Sequence, residues 1–151
     1  MLLDAPPMSI LLKPAREKPS RGDGTRVLVD RWWPRGVARD QARLHAWLRE
    51  LGPSQHLRRW LQEQTGRPDL GLRFRRRYLR ELDEPAATRA LQQLYRLATE
   101  RRNLTLVHAA RHLERSGAVV LKELLEGARK PPSSAGAAAA RGMRVRRAMR
   151  R

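Results

Sequence analysis

RVLVDRWWPRG, residues 26 to 36, is the stretch on which the fold turns. Val27, Leu28 and Val29 follow one another without a polar break, as in a strand covered on both faces in a parallel sheet. Asp30 ends the run, and Trp32 and Trp33 follow between Arg31 and Arg35. Ligands of such sheets gather beyond the carboxyl ends of the strands. These charged and aromatic residues therefore stand where a site is expected.

MSILLK, beginning at Met8, reads as the preceding strand, and KPSRGDG at 18–24 supplies turn chemistry between the two. LTLVHAA, Leu104 to Ala110, reads as a third strand, which places His108 to Arg111 at another carboxyl end. Leu44, Trp47, Leu48 and Leu51 fall at i, i+3, i+4, i+7, which predicts a helix from Ala38 to Leu51 ended by Gly52 and Pro53. Ser54 is the expected cap of a second helix with Leu57, Trp60 and Leu61 on its apolar face. Asp69 is the expected cap of a third, with Leu70, Phe74, Tyr78 and Leu82 on one side and arginines on the other. Ala86 to Arg101 and Gly117 to Gly127 complete the set. Together they predict an α/β fold, a small parallel sheet covered by helices, with Val27–Val29 and Leu104–Val107 as neighbouring strands. The expected organisation is a flexible N-terminal extension at 1–7, a single domain at 8–126 and a disordered Ala/Arg-rich basic tail at 127–151.

A chain of 151 residues suffices for one core, which at that size buries roughly 70% of the surface its unfolded form exposes. The absence of cysteine excludes thiolate nucleophiles, disulfides and sulfur-ligated metals, and favours a cytoplasmic protein. No apolar run approaches the roughly 20 residues of a membrane-spanning helix, so no membrane partner is expected. The formal net charge is +18, and Gly127 to Arg151 holds eight Lys or Arg with no acid. Such a tail would bind nucleic acid without sequence preference. Arginine supplies 29 of the 33 basic residues amid abundant alanine, a bias that GC-rich codon usage also produces.

RVLVDRWWPRG at 26 to 36 and TLVHAARHLERSGAVVL at 105 to 121 resemble two motifs of the YeaO-like proteins, a bacterial domain-of-unknown-function family. LRRWLQ and FRRRYLREL match as well, so the resemblance spans about residues 9 to 126. It implies the fold and the position of a site, and no particular activity. In the first motif Trp32 replaces the usual leucine. In the second, His108 replaces a tyrosine, His112 an acid, and Arg115-Ser116 a His-Asn pair. These departures bear on any chemistry that depends on that acid, histidine or asparagine.

Asp30 is the one acid embedded in an apolar run, so its ionised form needs partners, and Arg26, Arg31 and Arg35 are near in sequence. It is either an Asp-Arg clamp on the WPRG loop or an acid or base in a cleft. Arg31, Arg35 and Arg39 approach the start of the predicted Ala38 helix, where free N–H groups favour a phosphate or carboxylate. Alternatively they tie loop carbonyls and acids together. Trp32 and Trp33 face opposite sides of extended chain, and both enter the core if helices cover both faces. A tryptophan beside arginines also suits stacking on a ring. HAARH has the spacing of a metal pair but lacks the zincin glutamate and spans a strand end, so no metal and no cofactor is expected. The RFRRRYLR face is a solvated helix side or a nucleic-acid contact. The candidate site is a small anionic-ligand or catalytic pocket. Asp30, Arg31 and Arg111 are its catalytic candidates, and Trp33, Arg35, Gly36 and His108 its ligand contacts. Asp30 and Arg111 are expected within a few ångströms of each other. Substrate, reaction and oligomeric state are not legible at this level.

Overall fold

In the computed structural model, which describes residues 9–64 and 66–129, four strands pair in the order β1-β4-β2-β3. They are β1 (Ser9–Pro14), β2 (Thr25–Leu28), β3 (Ala46–Trp47) and β4 (Asn103–His108), and every pairing is parallel. The helices are α1 (Gln55–Glu63), α2 (Leu70–Glu81), α3 (Pro85–Glu100) and α4 (Gly117–Arg129). The chain is thus a single α/β domain, with the two central strands adjacent as their apolar runs predict.

Strand alternation sorts the core. Val27 lies opposite Leu106, and both share the main core with Leu57, Phe74, Tyr78, Leu94 and Leu121 from all four helices. Leu28 lies opposite Val107, and both turn to the other face, where Trp33, Val37, Leu44 and Trp47 cover them. Helices therefore cover one face, and an irregular segment covers the second.

That segment corrects the helix predicted from Ala38 to Leu51. Residues 38–45 form turns, Ala46–Trp47 adds β3 to the sheet edge, and Arg49–Leu51 is one 3-10 turn. A helix would put Leu44, Trp47, Leu48 and Leu51 on one face. Here Leu44 and Trp47 pack on the loop-covered face, and Leu48 and Leu51 join the helical core. Backbone bonds to β2, His45 N–H to Arg26 O at 2.8 Å and Leu48 N–H to Leu28 O at 2.9 Å, hold the segment extended.

The predicted caps divide. The Ser54 hydroxyl accepts the Leu57 N–H at 3.0 Å, and Glu81 on α2 accepts the Ser54 N–H at 2.9 Å, so the start of α1 is closed by side chains. Asp69 accepts no capping bond and instead lies 3.8 Å from Arg67 and Arg73. The last helix continues to Arg129, past its expected end at Gly127. The extension at 1–7 and the basic sequence from 130 onward lie outside the described residues.

The loop-covered face also carries buried polar residues, Arg26 and Thr105. Arg26 donates to Asp23 Oδ2 at 2.7 Å and to Ala42 O at 2.9 Å. Lys13 donates to both Asp23 oxygens at 3.0 Å, and Thr105 Oγ1 donates to Asp23 O at 2.7 Å. Burial opposes ionisation of Asp23, but the Ser20 N–H, Lys13, the Ser20 hydroxyl and Arg26 together hold its pKa at about 2. Arg26 is thus the partner of Asp23 and not, as its place in the sequence suggested, of Asp30.

Candidate functional site

The carboxyl ends of β2 and β4 meet at Asp30. Its Oδ2 accepts the Ala109 N–H at 2.9 Å, and its backbone oxygen accepts the Trp47 indole N–H at 2.6 Å. Burial raises the Asp30 pKa, opposed by the Ala109 N–H and by the positive charge of Arg58 on α1. Among the described residues no arginine clamps this carboxylate. Arg31 turns away and donates to Gly52 O at 2.8 Å and Pro53 O at 3.3 Å, stitching the end of β2 to the start of α1.

His108 ends β4 in a buried position, and its Nδ1 accepts the Ala110 N–H at 3.1 Å, which requires the neutral ring. Burial, and then Arg16, lower its pKa against an opposing pull from Glu17. Two consecutive loop N–H groups are therefore held by the Asp30 carboxyl oxygen and a neutral imidazole. Arg111, three residues past His108, is exposed and forms no hydrogen bond or ion pair among the described residues, with Asp30 or otherwise. His112 is also exposed, 3.8 Å from Glu114. Among the described residues no group of three or more His, Asp or Glu is placed to hold a metal.

Arg31, Arg35 and Arg39 do not gather at a helix start, because the Ala38 helix is absent. Arg39 lies over the Trp33 ring at 4.4 Å, and Arg35 is exposed beside Gly36, whose φ of 81° makes a left-handed turn. Trp33 itself is packing. It meets Trp47 edge-on at 5.5 Å, donates its indole N–H to Val37 O at 2.7 Å, and leaves no room for a water among its neighbours.

The expectation that both tryptophans enter the core is corrected at Trp32, which is 42% exposed. The Arg58 guanidinium lies over its ring at 4.8 Å. Trp32, Gln55, Arg58, Arg59 and Gln62 line an open groove of about 310 Å³. Sequence reading missed Arg58, Arg59 and the two glutamines, although a signal was present. They recur at i, i+3, i+4, i+7 on α1, opposite the apolar Leu57, Trp60 and Leu61.

The molecule is thus a parallel α/β domain with an arginine- and tryptophan-lined groove beside the strand ends. A family model described as the inactive DUF488-N3 subclade matches residues 9–140, and the chain belongs to that family. YeaO of Escherichia coli is 33% identical over 120 residues, covering 78% of this chain and 97% of the relative. Uncharacterised proteins of Mycobacterium tuberculosis and Mycobacterium bovis are each 44% identical over 105 residues, covering 70% of this chain and 83% of theirs. No solved structure matches the chain. No helix among the described residues is long and apolar enough to cross a membrane.

Proposed function

We propose that the protein binds a small anionic ligand at the carboxyl ends of its sheet, as a binding domain without chemistry of its own. The observation that carries the reading is the groove, whose lining includes two guanidinium groups and no acid. Its volume of about 310 Å³ falls within the roughly 300–1,000 Å³ of small-ligand sites. Arg58 and Arg59 supply the paired donors that recognise phosphate or carboxylate. Asp30, Arg31 and His108 act as positioning groups, since their polar atoms already hold Ala109, Gly52, Pro53 and Ala110. The description of the matching subclade as inactive agrees with binding in preference to turnover.

The test is thermal melting and calorimetry of the full chain with inorganic phosphate and pyrophosphate. Saturating pyrophosphate at about 100 times its Kd should stabilise the fold by about 2.7 kcal/mol, and Arg58→Ala with Arg59→Ala should abolish the gain without lowering the unliganded melting point. An equal gain in that double variant refutes the site.

A further inference from the structure

We infer that the groove takes the base and the phosphate of a nucleotide, with Trp32 as stacking platform, Arg58 and Arg59 as phosphate contacts, and Gln55 and Gln62 as base-edge contacts. This rests on the anion-binding reading above and names its ligand class.

The argument begins with where the four tryptophans sit. Trp33 and Trp47 close on each other edge-on, and Trp60 is half-buried under Arg77. Trp32 alone is exposed, and it faces a groove. An exposed indole bordering a cationic groove offers a π-face to any base, whatever its identity. The Arg58 guanidinium lies over that ring at 4.8 Å, and a guanidinium held against a ring can still turn N–H donors toward a phosphate.

The second element is the stripe on α1. Gln55, Arg58, Arg59 and Gln62 follow one face of the helix for about 10 Å. Gln55, Arg59 and Gln62 form no side-chain hydrogen bond or ion pair among the described residues, which leaves their donors and acceptors to a ligand. A carboxamide carries both a donor and an acceptor and can pair with a base edge, which a simple anion lacks. Ring, cation and amide together are the groups a nucleotide uses and more than a bare phosphate needs. The start of α1 is already capped by Ser54 and Glu81, so side chains and not helix amides hold the anion.

The same chemistry is present in a free nucleotide and in a single strand, and one experiment separates them. The full chain is titrated at fixed ionic strength with adenosine monophosphate, inorganic phosphate and a three-nucleotide single strand, followed by tryptophan fluorescence and calorimetry. Adenosine monophosphate should bind at least about tenfold more tightly than phosphate and quench fluorescence. Trp32→Leu should remove both the advantage and the quenching, and Gln62→Ala should weaken the nucleotide while leaving phosphate unchanged. A trinucleotide that binds more tightly than the monophosphate, with the same dependence on Trp32, assigns the site to a strand; equal binding assigns it to the free nucleotide. Equal affinity for phosphate and nucleotide, or full nucleotide affinity in Trp32→Leu, overturns base stacking and leaves the anion site standing. Binding of neither overturns both.

Discussion

The Asp30 carboxylate and the backbone N–H of Ala109 are joined at 2.9 Å, which ties the end of β2 to the loop leaving β4. Burial raises the Asp30 pKa, so the folded state favours its protonated form. The contribution from this group is therefore present at low pH and declines as pH rises through the folded value. Asp30→Asn keeps an oxygen to accept the Ala109 N–H and removes the charge that faces Arg58. Its melting point at pH 7 should equal or exceed that of the wild type, with the difference vanishing in acid. Phosphate affinity should rise by up to about fivefold as Arg58 is released. A large loss of stability at neutral pH would refute this account.

Acid should act on the fold in two separate windows. His108 has a lowered pKa, so the unfolded chain takes up its proton first, and stability falls as pH drops below the ordinary histidine value of 6.5. Protonation also ends acceptance of the Ala110 N–H. Asp23, held at about 2 against an ordinary 3.8, contributes stability that is complete above 3.8 and lost as pH falls toward 2. That loss is about 2 kcal/mol. Denaturant melts from pH 7 to 2 on wild type and Asp23→Asn check this, since the variant should lose the lower step and keep the upper.

Gly117 starts α4 directly over Tyr78. A Cβ there would lie 2.9 Å from the Tyr78 Cζ and 3.0 Å from its hydroxyl oxygen. The ring cannot retreat, because it stacks on Phe74 at 5.7 Å and donates its hydroxyl proton to Leu51 O at 2.6 Å. Gly117→Ala should cost about 1–3 kcal/mol despite the better helix propensity of alanine. Tyr78→Phe should cost about 1–2 kcal/mol by leaving the Leu51 carbonyl unpaired. Chemical denaturation measures both, and a stabilised Gly117→Ala would contradict the packing.

The basic sequence beyond Arg129 bears on a different interaction. Its prolines, serines and alanines offer little apolar surface to bury, and its clustered arginines would release counterions from DNA or RNA. Truncation after Arg129 should leave the melting point unchanged, while affinity for a random duplex falls and its salt dependence flattens. Full-strength duplex binding by the truncated chain would refute a role for the tail.

The parallel pairing of β2 with β4, helices α1 to α4 and the Ser54 cap were all legible in the residue order, because each follows from a short-range pattern. Continuous apolar runs mark buried strands, a 3.6-residue apolar period marks helices, and a serine before such a period satisfies helix N–H groups. The family was legible too, through motifs of consecutive residues. Tertiary structure alone decided the partners. Leu44, Trp47, Leu48 and Leu51 have helical spacing, yet hydrogen bonding along the edge of β2 draws Ala46–Trp47 into β3 and divides the four between two faces. Arg26 pairs with Asp23 and not Asp30, because the 3-10 turn at Arg21–Asp23 and the left-handed Gly24 bring Asp23 back over the sheet. Trp32 and Trp33 are indistinguishable as letters. They separate where the chain bends at Arg31 and Trp32 beyond the end of β2, one into a packed cluster and the other to Arg58, 26 positions away and adjacent only once α1 has docked.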